Sequence, residues 1–102
     1  MVTTHVLDLV TGRPAAGMAV RLESADGSVV GEGRTDDDGR LRDLGAPERG
    51  THRLVFGTGD WCAAAGRDTF YPEVVVTFTL GDGHHHVPLL LAAYGYSTYR
   101  GS

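Results

Sequence analysis

Hydrophobic and polar residues alternate along several stretches of the chain. Met18, Val20 and Leu22 fall on one side of an extended backbone, with Ala19, Arg21 and Glu23 on the other. Leu54 and Phe56 alternate with Arg53 and Val55, and Val74, Val76, Phe78 and Leu80 alternate with Glu73, Val75, Thr77 and Thr79. Val87, Leu89 and Leu91 repeat the pattern, and Thr3-Thr4-His5-Val6-Leu7-Asp8 reads as a further strand. Successive side chains of a strand point to opposite faces, so period-two runs rich in Val, Leu, Phe and Thr predict half-buried strands. Turn chemistry separates them: Thr11-Gly12-Arg13-Pro14, Ala25-Asp26-Gly27, Asp36-Asp37-Asp38-Gly39, Glu48-Arg49-Gly50 and Gly81-Asp82-Gly83. One segment breaks the alternation. Asp60-Trp61-Cys62-Ala63-Ala64-Ala65-Gly66 offers an N-cap, three alanines and a glycine stop, which predicts a helix of about two turns. Strands at this spacing with one short helix predict an all-β sandwich.

Length and composition narrow the class. At 102 residues, 41% hydrophobic and 22% charged, the chain suits one globular domain spanning residues 1–102. Its net charge of −4 comes with nine scattered basic residues and no basic stripe, which argues against nucleic acid as a partner. No apolar run reaches the ~20 residues of a membrane span, and Met1-Val2-Thr3-Thr4-His5 lacks the basic and apolar regions of a secretory signal. A cytoplasmic location is expected. Cys62 is the sole cysteine, which excludes an internal disulfide, and its apolar helical setting predicts a packing role.

The residues that carry chemistry are few. His84, His85 and His86 follow the Gly81–Gly83 turn, and strand geometry would send His84 and His86 to one face and His85 to the other. Two imidazoles on one face can hold a proton, bind a carbonyl or share a metal ion, whereas a polar strand end rich in histidine is the plainer alternative. His5 sits within a strand, where a lone histidine is commonly structural. Arg40 follows the Asp38-Gly39 turn and presents a planar fork suited to a carboxylate or a urate-like edge, unless it is merely solvated. No Gly-x-Ser-x-Gly elbow, phosphate-cradling loop or His-Glu-x-x-His is present. Asp36, Asp37 and Asp38 lack the glutamate of a calcium loop and read as a turn.

Six motifs in fixed order sharpen this picture. They are Thr4-His5-Val6-Leu7-Asp8, Thr11-Gly12-Arg13-Pro14-Ala15, Thr35-Asp36-Asp37-Asp38-Gly39-Arg40, Phe70-Tyr71-Pro72-Glu73, His84-His85-His86-Val87-Pro88-Leu89-Leu90-Leu91 and Tyr94-Gly95-Tyr96-Ser97-Thr98-Tyr99-Arg100-Gly101-Ser102. Over its whole length the chain resembles the 5-hydroxyisourate hydrolases, the enzymatic relatives of transthyretin. The terminal Tyr-Arg-Gly-Ser is the most specific element, because it separates the hydrolases from the hormone carriers. The resemblance implies a transthyretin-like β-sandwich of two four-stranded sheets with one short helix. It implies a homotetramer, a dimer of dimers, with active sites in the channel where dimers meet. It implies hydrolysis of 5-hydroxyisourate to 2-oxo-4-hydroxy-4-carboxy-5-ureidoimidazoline, with no organic cofactor. Carried over by motif, the site falls on His5, Arg40, His86 and Tyr99, with His84 and Ser102 close by, and Ser102 is counted among the catalytic set. The paired His84 and His86 can pick up zinc in some relatives.

Departures from the family pattern are small. His85 stands where an aromatic is usual, on a face peripheral to the chemistry, and its loss is expected to be nearly silent. Trp61-Cys62 replaces a more aromatic stretch, and the loop before the histidines is short. Pro88, Leu89, Leu90 and Leu91 are apolar on both strand faces, more than one sandwich core covers, which favours the tetramer. The tail from Tyr99 to Ser102 is expected to fold into the active-site channel, the Ser102 carboxylate standing three residues from Tyr99. Three other functions compete. A carrier of small aromatic ligands would lack the His/Arg set or the terminal tetrapeptide, an accessory β-sandwich module would sit beside another domain, and a metal-binding module would rest on His84 and His86.

Overall fold

The alternating segments become ten strands around one helix in a computed structural model describing residues 1–102. In chain order they are β1 (Val2–Asp8), β2 (Arg13–Pro14), β3 (Ala19–Ser24), β4 (Val29–Arg34), β5 (Arg40–Leu41), β6 (Gly50–Phe56), α1 (Thr58–Ala64), β7 (Val74–Leu80), β8 (His85–His86), β9 (Leu89–Leu91) and β10 (Tyr96–Thr98). One sheet has four strands in the order β4-β3-β6-β7, all antiparallel. The other follows the path β10-β9-β1-β2, and the two-residue strands β5 and β8 also pair with β1. The two sheets of the expected sandwich are present, the second extended by these two short segments. Both lie against β1 and, as shown below, carry site residues. Arg13 and Pro14, the end of a turn in the sequence reading, pair with Asp8 and Leu7 and close the first hairpin.

The core forms where the inward positions of the two sheets meet. Val2, Val6, Val20, Leu22, Leu54, Phe56, Val74, Leu89 and Leu91 are buried there with Met18 and Leu44. Each fully buried side chain of this size is worth about 1.5–3 kcal/mol relative to exposure, so the period-two pattern is also what holds the sheets together. Asp8 closes one end of this core. It accepts hydrogen bonds from the Val10 N–H, the Thr11 hydroxyl and Arg67. Burial works to raise its pKa, but these bonds outweigh burial and hold the carboxyl below its ordinary value.

The helix starts earlier than the sequence suggested. Asp60 was expected as N-cap, yet Gly57 occupies that position and Asp60 lies inside the first turn, where its charge suits the helix dipole. Tertiary contacts set the start. The Gly57 N–H donates to the Ala19 carbonyl at 2.8 Å, and the buried Thr58 hydroxyl donates to the Tyr71 carbonyl at 2.7 Å. The stop is as expected: Gly66 has φ +69°, its N–H reaches the Ala63 carbonyl and the Arg67 N–H reaches that of Cys62, a Schellman closure. No helix is long and apolar enough to cross a membrane.

Candidate functional site

β1 runs through the middle of its sheet, and its residues divide by parity. Val2 and Val6 enter the core, while Thr3, His5 and Leu7 face away from it. Two short strands bring chemistry to that outward face: β5 sets Arg40 opposite His5, and β8 sets His86 opposite Thr3. The turn before β5 aims Arg40. Asp36 Oδ1 accepts from the Asp38 and Arg40 N–H groups, both at 2.9 Å, and the Gly39 N–H donates to the Asp36 carbonyl. Only glycine serves at 39. It has φ +76°, and a Cβ there would come within 2.5 Å of the Val6 carbonyl oxygen.

The histidine run divides as alternation requires. His84 Nε2 and His86 Nδ1 both meet the Thr3 hydroxyl, at 2.7 and 2.8 Å. His85 turns to the other face and is buried, its Nε2 accepting from the Gly81 N–H while Nδ1 meets the Gly83 carbonyl. This residue, expected to be peripheral, is a structural brace for the turn that precedes the pair. The tail then comes back: Gly101 pairs with His86, its N–H donating to the His86 carbonyl at 2.7 Å.

Together these residues enclose a cavity of about 400 Å³ lined by Thr3, Arg40, Arg42, His84, His86 and Ser102, among others. His5 stands beside it, opposite Arg40 in register. Burial, then the charges of Arg40, His84 and His5, lower the His86 pKa below the ordinary histidine value. A histidine held neutral with Nδ1 engaged leaves Nε2 free for proton transfer, and a neighbouring guanidinium can stabilise an oxyanion. Tyr99 lies elsewhere. It is exposed and lines a separate, mostly apolar cleft of about 270 Å³ with Val76, Phe78, Val87 and Arg100. The structure thus gathers His84, His86, Arg40 and Ser102 around one cavity with His5 opposite Arg40, and does not bring Tyr99 to it.

Other surfaces carry less chemistry. A slightly larger depression of about 430 Å³ on the four-stranded sheet mixes Arg21, Arg34, Glu32, Asp60 and Glu73 and contains no histidine. Cys62 is buried and its thiol pKa is pushed up by burial, the state of an unreactive packing residue. The paired histidines do not fit a zinc ion as arranged. Both rings turn to the Thr3 hydroxyl, and no group of three His, Cys, Asp or Glu side chains assembles anywhere.

Thr3 and Arg42 were missed in the sequence. The signal was available, since each stands two residues from an identified site residue on the same strand face or its extension.

A two-sheet sandwich that gathers histidines and an arginine on the outer face of one sheet defines a small all-β protein of the transthyretin-like class. The chain belongs to the HIUase/Transthyretin family, whose profile matches residues 2–101. A 5-hydroxyisourate hydrolase of Caulobacter vibrioides is 45% identical, over 98% of this chain and 96% of its own. The structure of Klebsiella pneumoniae 5-hydroxyisourate hydrolase superposes with a TM-score of 0.92 at 39% identity, covering 99% of this chain and 97% of that one. Sea bream transthyretin in complex with thyroxine superposes at 0.89 with 27% identity, covering 98% and 93%.

Proposed function

We propose that residues 1–102 form a single hydrolase domain that opens the cyclic amide of 5-hydroxyisourate in urate degradation, giving 2-oxo-4-hydroxy-4-carboxy-5-ureidoimidazoline. The observation that carries this reading is the cavity that unites His84, His86, Arg40 and Ser102, with His5 opposite Arg40. The names of the 5-hydroxyisourate hydrolases that share this fold support it.

An amide carbonyl is a poor electrophile toward neutral water, so the site must supply a base and a stabiliser of negative charge. His86 Nε2 takes a proton from water as its oxygen attacks the carbonyl carbon. Arg40 holds the developing oxyanion. The tetrahedral intermediate then collapses, the ring C–N bond breaks, and the proton returns from His86 to the departing nitrogen. The products balance as substrate plus one water. His5 and Ser102 complete the polar wall.

The assembly follows from the same face. Leu7 and Leu90 are register partners that stand half-buried outside the core, an apolar pair beside the site residues of β1. A homotetramer, as a dimer of dimers, would cover that face and close the cavity. We place the protein in the cytoplasm, a reducing setting that suits a buried free thiol.

Carriage of a small aromatic ligand is the second reading, favoured by the likeness to a thyroxine-bound transthyretin. The retained His/Arg set speaks against it. Urate oxidase generates 5-hydroxyisourate from urate in situ, and the protein should hasten its disappearance beyond the rate in buffer. Equal rates with tight thyroxine binding would establish the carrier instead.

A further inference from the structure

A hydroxyl group has one hydrogen to donate, and Thr3 faces two imidazole nitrogens with it. Its Oγ1 lies 2.7 Å from His84 Nε2 and 2.8 Å from His86 Nδ1, and the side chain is buried. Thr3 Oγ1 has no third hydrogen-bond partner, so its one hydrogen goes to one ring and a lone pair takes an N–H from the other. The two histidines therefore hold opposite protonation at the nitrogens that meet Thr3. If His84 Nε2 carries a hydrogen, Thr3 donates to His86 Nδ1, and a neutral His86 keeps its proton on Nε2. If His84 Nε2 is bare, Thr3 donates to it and accepts the Nδ1 hydrogen of His86, so that His86 Nε2 is left with a lone pair.

We propose that Thr3 is a positioning residue that holds His86 in the second arrangement, making His86 rather than His84 the general base. The proposal rests on the hydrolase reading above. What favours His86 over His84 is place: His84 is exposed, whereas His86 is half-buried and feels the charge of Arg40. His86 is held from three sides: Thr3 Oγ1 at its ring, the Val87 N–H bond to the Thr3 carbonyl beside it, and the Gly101 N–H on its own carbonyl. A base fixed in ring orientation and tautomer needs a partner at its second nitrogen, the part a carboxylate or backbone carbonyl plays in other sites. Here a buried threonine fills that part, and it ties His84 into the same network. No carboxylate brings its negative charge to the ring, and burial, with the charges of Arg40, His84 and His5, favours the neutral form of His86.

Thr3→Val keeps the shape and removes the hydroxyl. With 5-hydroxyisourate generated by urate oxidase, kcat is expected to fall roughly 10- to 100-fold with KM little changed, the usual scale for losing a partner that orients a functional histidine. Thr3→Ser, which keeps the oxygen, should restore most of kcat. Nitrogen-15 NMR of the histidines provides a readout independent of turnover. In the wild type, neutral His86 should carry its proton on Nδ1, and in Thr3→Val the proton should shift mainly to Nε2. Full kcat in Thr3→Val, no recovery in a folded Thr3→Ser, or an Nε2-protonated neutral His86 in the wild type would each overturn the proposal. Should Thr3→Val fail to fold, the wild-type spectrum and Thr3→Ser still decide. Should the wild type not hydrolyse 5-hydroxyisourate, the functional reading falls while the spectrum alone decides the tautomer.

Discussion

Gly101→Ala offers a steric test of the site. The backbone at 101 lies outside the left-handed region, so alanine is conformationally acceptable there. The obstacle is His86. A Cβ at 101 would stand 2.4 Å from His86 Cδ2, 3.1 Å from Cγ and 3.3 Å from Cβ. Carbon atoms settle at about 3.5–4.0 Å, so the closest contact must open by roughly 1 Å. The ring cannot yield freely, because Nδ1 is tied to Thr3 at 2.8 Å. It must break that bond, worth about 0.5–1.5 kcal/mol net, or lift the tail and lose the Gly101 N–H bond to the His86 carbonyl. The first route displaces the base and the second draws Ser102 away from the cavity, and a shift of about 1 Å in either is the amount that costs 10²-fold in well-positioned reactions. Turnover of 5-hydroxyisourate should fall by about that factor, while the far-ultraviolet spectrum and the thermal midpoint barely change, since the core lies elsewhere. Wild-type kcat/KM in Gly101→Ala would refute the assignment of His86 and its packing against the tail.

Other outcomes follow from the same geometry. His5→Ala and His86→Ala should each lower turnover by about 10²-fold or more in that assay, and Arg40→Lys should also be damaging because a point charge replaces a planar fork. The His86 pKa lies below the ordinary histidine value, so kcat/KM should persist into mildly acid solution and fall only as His86 gains its proton; in Arg40→Gln, the loss of a nearby cation eases protonation, and NMR titration should show the His86 pKa rising. Asp8→Ala removes the partner of a largely buried Arg67 and should cost about 3 kcal/mol in urea unfolding. Because the Asp8 pKa is lowered on folding, its contribution is present above the ordinary carboxylate value and is lost as pH falls through the lowered one. His85→Ala leaves the Gly81 N–H without its acceptor and should lower the urea midpoint by the equivalent of about 1–3 kcal/mol, with a much smaller effect on kcat than His86→Ala.

Most of the scaffold was legible in the sequence because period-two burial is a local signal. The strands through Val20, Leu54, Val76 and Leu89 were visible as alternation, and Gly66 as a helix stop. The helix start was not legible, since it depends on Thr58 and Gly57 bonding to Tyr71 and Ala19, residues far along the chain. The split of His84 and His86 from His85 followed from strand geometry. The burial of His85 did not, because the brace it forms requires the folded Gly81–Gly83 turn. His5, Arg40 and His86 came from motif resemblance, and no rule of spacing would have joined residues so distant in sequence. Thr3 could be placed on the His5 face of its strand by parity, but its role emerges only when both rings meet one hydroxyl.

The most direct measurement compares the wild-type protein with the double variant His86→Ala/Arg40→Gln in 5-hydroxyisourate freshly made by urate oxidase. Ultraviolet decay and product NMR should be followed together. The account predicts loss of substrate in proportion to wild-type protein, with the ureidoimidazoline carboxylate formed in equal amount, and buffer-rate decay with the double variant. Wild-type decay no faster than buffer, or a double variant as fast as the wild type, would contradict it.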